Sequence, residues 1–241
     1  MVTTGDLRKR KLFKDVPAAI LRQLLQRGEV RRVFLNPRGQ LRLQVGKVGF
    51  VYLIVSGYLE VRLESQLIKK GSSFLVAFLG PEQIVGDIKA ISIEASNAFI
   101  TAAGSCELIA IRSKDLTRVA ERDWRIYRNI AALLVEKSLQ ERKRLEVTEM
   151  HEGEPQVAQT LLNFVAERGT QSLGGKQIRI NGSLHQRDIA DYIGCDRTTV
   201  ARRLSSLKAQ HIIDYPAPGR RQLQGIDILD PLRLEAIARG K

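Results

Sequence analysis

The sequence predicts an α+β chain with an N-terminal β-roll, one long helix and a C-terminal winged helix-turn-helix. Three observations carry this. Residues 29 to 112 break into short apolar runs separated by glycine-bearing turns, the spacing of a compact all-β unit. A helical period then runs from about Asp123 to Met150. Residues 183 to 213, SLHQRDIADYIGCDRTTVARRLSSLKAQHII, combine apolar spacing and turn chemistry that spell helix, tight turn, helix. The expected boundaries are 1–122 for the β-roll with its helical lead, 123–150 for the long helix and 151–241 for the helix-turn-helix unit.

In chain order, LFKDVPAAILRQLLQRG reads as a helical lead, with Asp15 as a cap ahead of Pro17 and with Ile20, Leu21, Leu24 and Leu25 on one apolar face. The strands follow as EVRRVFL, QLRLQV, FVYLIVSGYLEVRLES, SFLVAFLG and FITAAGSCELIAI, punctuated by glycines such as Gly39, Gly57 and Gly104. Ser113 is placed to cap a short helix. In the long helix Ile126, Ile130, Leu133 and Leu134 form an apolar seam, read as the surface for a second copy of the chain, with packing on its own barrel as the competing reading. A hinge near His151 to Glu154 leads to a helix from Pro155 to Arg168.

The helix-turn-helix follows. Ile189, Ala190 and Ile193 turn one helix toward a core, Ser183 or Asn181 can cap its start, and Gly194 permits the sharp turn. In the second helix Val200, Leu204 and Leu207 recur at i, i+4 and i+7 as a buried stripe, with Asp196 at the N-cap position. The helical repeat sets Thr198, Arg202 and Ser205 on the opposite side, with Arg197 and Lys208 on one flank and Arg203 on the other. That face suits a major groove, because Arg forks two donors onto guanine acceptors and Thr meets a base edge, a methyl group or a phosphate. His185, Gln186 and Arg187, in the first turn of the preceding helix, are placed to grip phosphate. HIIDYPAPGRRQLQGIDIL then reads as two extended runs about a Pro-Ala-Pro-Gly turn, a wing with Arg220 and Arg221 at or just past its tip.

Composition bounds the function. A chain of 241 residues with 44% hydrophobic content can fill two modest cores, and a net charge of +13 points to a polyanionic partner. Residues 151–241 hold 13 Lys+Arg against 10 Asp+Glu, so +10 of the charge lies in residues 1–150. DNA wrapping onto that half, an acidic ligand or solubility would each explain it. Two cysteines, Cys106 on a core strand and Cys195 read as a small buried hydrophobe at the turn, are too few for a disulfide framework and fit a reduced cytoplasm. No apolar run approaches a membrane span, and the start MVTTGDLRKRKLF lacks the apolar core of a signal peptide. No phosphate loop, metal-spaced His/Cys cluster or nucleophile elbow is present, so neither an enzyme nor a cofactor-bearing protein is expected.

The order of β-roll, long helix, hinge and winged helix-turn-helix resembles the cyclic-AMP receptor protein and fumarate-nitrate regulator (CRP/FNR) family of bacterial transcription regulators. The motif IADYIGCDRTTVARRLSSL is similar to that family's reading motif, and YLIVSGYLEV and FLGPEQIVGDIKAI follow its strand-glycine-strand and Gly-acidic patterns. The resemblance implies a cyclic-nucleotide-binding-like β-roll, Arg197 and Arg202 as base readers, and Thr199 with His185 or Gln186 as phosphate contacts. At Thr198 the chain departs from members carrying Glu, so the operator differs at the base that Glu would read. The loop 173–181, LGGKQIRIN, resembles the surface by which activators touch RNA polymerase.

The effector pocket departs further. Members that bind cyclic AMP hold the ribose with Gly-Glu and the cyclic phosphate with Arg-Ser, whereas this chain has Gly86-Asp87 and Ser96-Asn97 there. Without the arginine the phosphate loses its counter-charge, and tight cyclic AMP binding is not expected. The cysteine set of the family's iron-sulfur sensors is missing, and heme is not expected. Arg125 or Arg128 could serve an organic acid beside the long helix, although solvated surface is the favoured reading. The expected function is a homodimeric, sequence-specific regulator of a two-fold symmetric operator, with an unknown small-molecule effector. The alternative is a non-specific architectural DNA-binding protein.

Overall fold

The structure is a computed structural model that describes residues 1–45, 48–64, 73–86, 98–150, 153–171, 177–184, 186–216 and 223–240. Its chain opens with α1 (Thr4–Arg8), a 3-10 turn (Lys11–Phe13) and α2 (Ala18–Arg27). Eight strands follow among the described residues: β1 (Val30–Leu35), β2 (Gln44–Val45), β3 (Val48–Ser56), β4 (Leu59–Glu64), β5 (Ser73–Leu79), β6 (Ile84–Gly86), β7 (Ala98–Ala102) and β8 (Cys106–Arg112). Then come α3 (Ser113–Ala120), α4 (Trp124–Thr148) and α5 (Glu154–Arg168), the strands β9 (Gly169–Gln171) and β10 (Ile178–Leu184), α6 (Gln186–Ile193) and α7 (Arg197–Ala209). The chain closes with β11 (Ile213–Asp214), β12 (Leu223–Ile228) and α8 (Pro231–Ala238). By contact the described chain divides into residues 1–72 with 78–138, and residues 73–77 with 139–241.

In the first unit β3 and β8 are the centre of a sheet ordered β1-β8-β3-β2, with β6 added on β3. They pair antiparallel from Phe50↔Arg112 to Ile54↔Leu108 before the register shifts. Their apolar runs are buried on both faces, which is why they read as continuous rather than alternating. A smaller sheet runs β5-β4-β7. Gly86 is demanded by its site: at φ 144° in the pairing Val51↔Gly86, a Cβ would lie 2.2 Å from the Phe50 carbonyl oxygen.

The core of this unit joins Leu12 and Phe13, Leu21 and Leu24 of α2, Val51 and Leu53 of β3, Ile109 and Ile111 of β8, and Leu116 and Val119 of α3. Ile126, Ile130 and Leu133 belong to the same core and Leu134 packs against it. The seam expected to face a second copy is therefore covered by the chain's own helical lead and strands.

Two expected caps are also corrected. Asp15 stands at φ 63° and its carboxylate accepts from Arg128 at 2.9 Å, while Pro17 takes the N-cap position of α2. Arg128 is thus paired, and Arg125 donates to the Asp15 carbonyl at 3.0 Å. Ser113 is the first residue of α3, with Arg112 as N-cap, and the Ser113 hydroxyl is buried with no hydrogen-bond partner among the described residues. The carboxylate that organises that corner is Asp115, which is buried and accepts from the Glu29 N–H at 2.9 Å and from Arg112 at 2.7 and 3.1 Å.

Burial pushes the Asp115 carboxyl up, but Arg112, the Glu29 N–H and Arg118 outweigh it and hold it below its ordinary 3.8. A depressed folded pKa supplies stability above the unfolded value that is lost as pH falls through the folded one. Asp115→Ala is therefore expected to cost about 1–3 kcal/mol in urea melts at neutral pH, by stranding its donors. It should also flatten the decline of stability below pH 3.8; equal acid limbs for variant and parent would refute this.

Candidate nucleic-acid interface

The second unit is centred on α5, which touches α6, α7, α8, β9 and β10. Val157, Ala158, Leu161 and Phe164 of α5 are buried with Ile180 and Leu184 of β10, Ile189, Ala190 and Ile193 of α6, and Ile226 and Ile228 of β12. Phe164 meets Tyr192 edge-on with ring centroids 4.9 Å apart. Pro231 starts α8 behind Asp230, whose side chain accepts from the Arg233 N–H at 3.0 Å, a cap that the sequence reading passed over.

Between α6 and α7 the chain turns at Gly194, φ 74°, whose N–H donates to the Ala190 carbonyl at 2.8 Å. Two side chains tie this turn to the end of α4. The Gln156 amide donates to the Val147 carbonyl at 3.1 Å and to the Ile193 carbonyl at 3.4 Å. Arg144 donates from Nε to the Tyr192 carbonyl at 3.2 Å and lies 4.7 Å over the Tyr192 ring. It also reaches the carbonyls of Leu75, at 3.4 Å, and Val76, both in the stretch of β5 that groups with this unit. Desolvation pushes the Arg144 guanidinium below its ordinary value, and carbonyls with an aromatic face take the place of water around it.

In α7, Val200, Leu204 and Leu207 are fully buried. Arg197, Thr198, Arg202 and Ser205 are exposed, and Thr199 and Arg203 are half-buried. Among the described residues neither Arg197 nor Arg202 has an ion pair or a hydrogen-bond partner, which leaves both guanidinium forks available. Asp196 holds the N-cap position at φ −73° and ψ 141°, and its carbonyl accepts from the Val200 N–H at 3.2 Å. Its carboxylate makes no cap hydrogen bond.

Lys208 has a different task from the flank position expected of it. Its ammonium donates to the Tyr215 carbonyl at 2.5 Å, pairs with Asp214 at 2.7 Å and lies 4.6 Å over the Tyr215 ring. Lys208 thereby fastens β11 to the last turn of α7, and its hydrogen bond holds the Asp214 carboxyl below its ordinary value. The wing is built on β11 and β12, paired Ile213↔Ile228 and Asp214↔Asp227 in a sheet ordered β11-β12-β10-β9.

Asn181 and Ser183 lie within β10, which runs through Leu184. Gln186 opens α6 and is half-buried. Cys195 is half-exposed rather than buried. His185, Arg220 and Arg221 lie outside the described residues, as do Asp87, Ser96 and Asn97 of the expected effector pocket. Gly86 is the one member of that pocket set that is described. No group of three metal-ligating side chains occurs among the described residues, and no helix among them is long and apolar enough to cross a membrane.

Comparison with known proteins bears on both units. Residues 36–123 match the cyclic nucleotide-binding domain and residues 155–237 the Crp-like helix-turn-helix domain. The chain is 27% identical over 208 residues to the cyclic AMP receptor protein of Thermus thermophilus, covering 86% of this chain and 88% of that one. It is 25% identical over 176 residues to the cAMP-activated global transcriptional regulator CRP of Escherichia coli, covering 69% and 77%. In fold it is similar to FixK2 from Bradyrhizobium japonicum, with TM-score 0.64 at 20% identity over 86% of this chain and 96% of that one. It is likewise similar to a CRP/FNR-family transcriptional regulator from Thermus thermophilus, with TM-score 0.65 at 15% identity over 87% and 98%. With a cyclic nucleotide-binding domain followed by a Crp-like helix-turn-helix, the chain belongs to the CRP/FNR family of DNA-binding transcription regulators, and is not an enzyme.

Proposed function

We propose that this protein binds a two-fold symmetric operator as a homodimer and reads it with Arg197 and Arg202. The observation that carries this is the division of α7: its aliphatic side is fully buried while two unpartnered guanidinium groups share the exposed side with Thr198 and Ser205. Arginine in that position recognises guanine by paired donors, and Thr198 favours a thymine methyl or a phosphate over cytosine. Thr199 and Gln186, beside the same face, fit phosphate contacts, with His185, Arg220 and Arg221 completing the footprint.

Support for the dimer comes from the other side of α4. Trp124 is 64% exposed, Tyr127 44%, Val135 59%, Leu139 53% and Leu145 64%, on a 25-residue helix whose opposite face is committed to its own chain. At the helical repeat these positions fall on one side of α4, which suits pairing of two such helices. The apolar contact with a partner thus lies one side away from the seam first expected.

The regulator is read as independent of cyclic AMP, because Asp87, Ser96 and Asn97 replace the groups that would hold ribose and cyclic phosphate. The Escherichia coli relative is by its name cAMP-activated; here the effector is a different small molecule or none. Contact with RNA polymerase through residues 173–181 completes the reading. The basic excess of residues 1–150 favours the architectural alternative, but it gives no reason for an exposed Arg197 and Arg202 on an anchored helix.

Selection from random duplexes should return a palindromic sequence. Arg202→Ala should then lose about 1–3 kcal/mol of discrimination at one base pair per half-site, measured by competition binding. Equal binding of all duplexes by the parent would make the protein architectural. Val135→Glu with Leu139→Glu should convert dimer to monomer in sedimentation velocity and abolish cooperative operator binding; an unchanged sedimentation coefficient would refute the α4 interface. Cyclic AMP should leave operator affinity of the parent unchanged, and an increase of tenfold or more would overturn the reading of independence from it.

A further inference from the structure

A cavity of about 240 Å³ opens between α2 and α3, and no residue of a described strand is in its lining. Arg27, in the last turn of α2, and Arg118 and Arg122, in and just beyond the last turn of α3, line it over an apolar floor that includes Leu24 and Val119. We propose that this cleft binds a small phosphoryl-bearing anion.

Charge decides what the cleft can hold. Its one carboxylate, Asp115, is spent on the Glu29 N–H, on both forks of Arg112 and on one nitrogen of Arg118 at 3.2 Å. It therefore does not neutralise Arg27 or Arg122, and among the described residues the side chain of neither has a hydrogen bond or an ion pair. Cations at helix C-termini are favoured by the helix dipole alone, which accounts for Arg27 and Arg118 singly. It does not account for two helix ends delivering their arginines, with Arg122 as a third, to one concavity.

Two free guanidinium groups and the remaining donors of a third supply planar paired donors that match phosphoryl oxygens better than ammonium groups would. They must also outweigh the unfavourable carbonyl ends of both helices, which two uncompensated positive charges do. The volume is below the roughly 300–1,000 Å³ of pockets for drug-sized ligands, so the ligand is small. The anion would brace α2 against α3, whose apolar faces share a core with Ile126 and Ile130 of α4.

Titration calorimetry of the full-length protein with pyrophosphate at low ionic strength tests this. Saturable binding is expected in the parent, weaker by at least about tenfold in the double variant Arg27→Gln with Arg122→Gln, since charge-assisted contacts are lost. Both side chains are exposed and unpartnered, so the variant should melt at the parent's temperature. A second double variant, Arg197→Gln with Arg202→Gln, should bind pyrophosphate like the parent. Absence of saturable binding, or loss confined to the second variant, would overturn the site. A parallel fall in operator affinity of the first variant would assign the cleft to the DNA backbone and overturn the small-ligand reading as well. Neither result would alter the operator experiments on Arg202, so the two readings fail separately.

Discussion

The burial of Val200, Leu204 and Leu207 is the constraint from which the rest of the DNA-binding unit follows. Each of these side chains contributes about 1.5–3 kcal/mol by leaving water, and together they fix the rotation of α7 about its axis. Once that rotation is fixed, Arg197, Thr198, Arg202 and Ser205 have no direction left but solvent. An exposed side so defined needs no interactions of its own, and among the described residues the side chains of Arg197 and Arg202 make none. Lys208 marks where the surface ends, because its charge is already taken up by Asp214 and Tyr215.

The same unit shows how a change at the long helix could reach the reader. Gln156 joins the carbonyl of Val147 in α4 to that of Ile193 at the end of α6, and Arg144 of α4 grips the neighbouring Tyr192 carbonyl and ring. These bonds converge on the two residues ahead of Gly194, where the orientation of α7 is set. Arg144 is a cation held by backbone carbonyls and an aromatic face, an arrangement that has strength only while all its partners stay in place. A shift of the last turns of α4 would thus act on the helix-turn-helix through few atoms.

Much of this was legible in the sequence, for identifiable reasons. The helix-turn-helix was readable because periodicity, a turn glycine and a cap position coincide within 31 residues, and each restricts the backbone independently. The strands β3 and β8 were readable as uninterrupted apolar runs. The long helix was readable in extent, but not in which side its own chain covers: Ile126, Ile130 and Leu133 are more apolar than Trp124, Tyr127 and Val135 only by a little, and what covers them includes a helical lead over a hundred residues away in sequence. Asp15 failed as a cap because its carboxylate pairs with Arg128, and Ser113 because α3 starts one residue earlier than expected, with Arg112 at the N-cap position. The Arg27, Arg118 and Arg122 cleft had no linear signature, since its residues come from two helices about ninety positions apart.

The central claim is that two copies of α7 enter the major groove side by side on one face of the duplex. Hydroxyl-radical and methylation-interference footprinting on a selected operator measures this most directly. The account predicts two patches of guanine interference about one helical turn, roughly 34 Å, apart and related by a dyad. A single patch, continuous protection without guanine interference, or interference confined to the minor groove would contradict it.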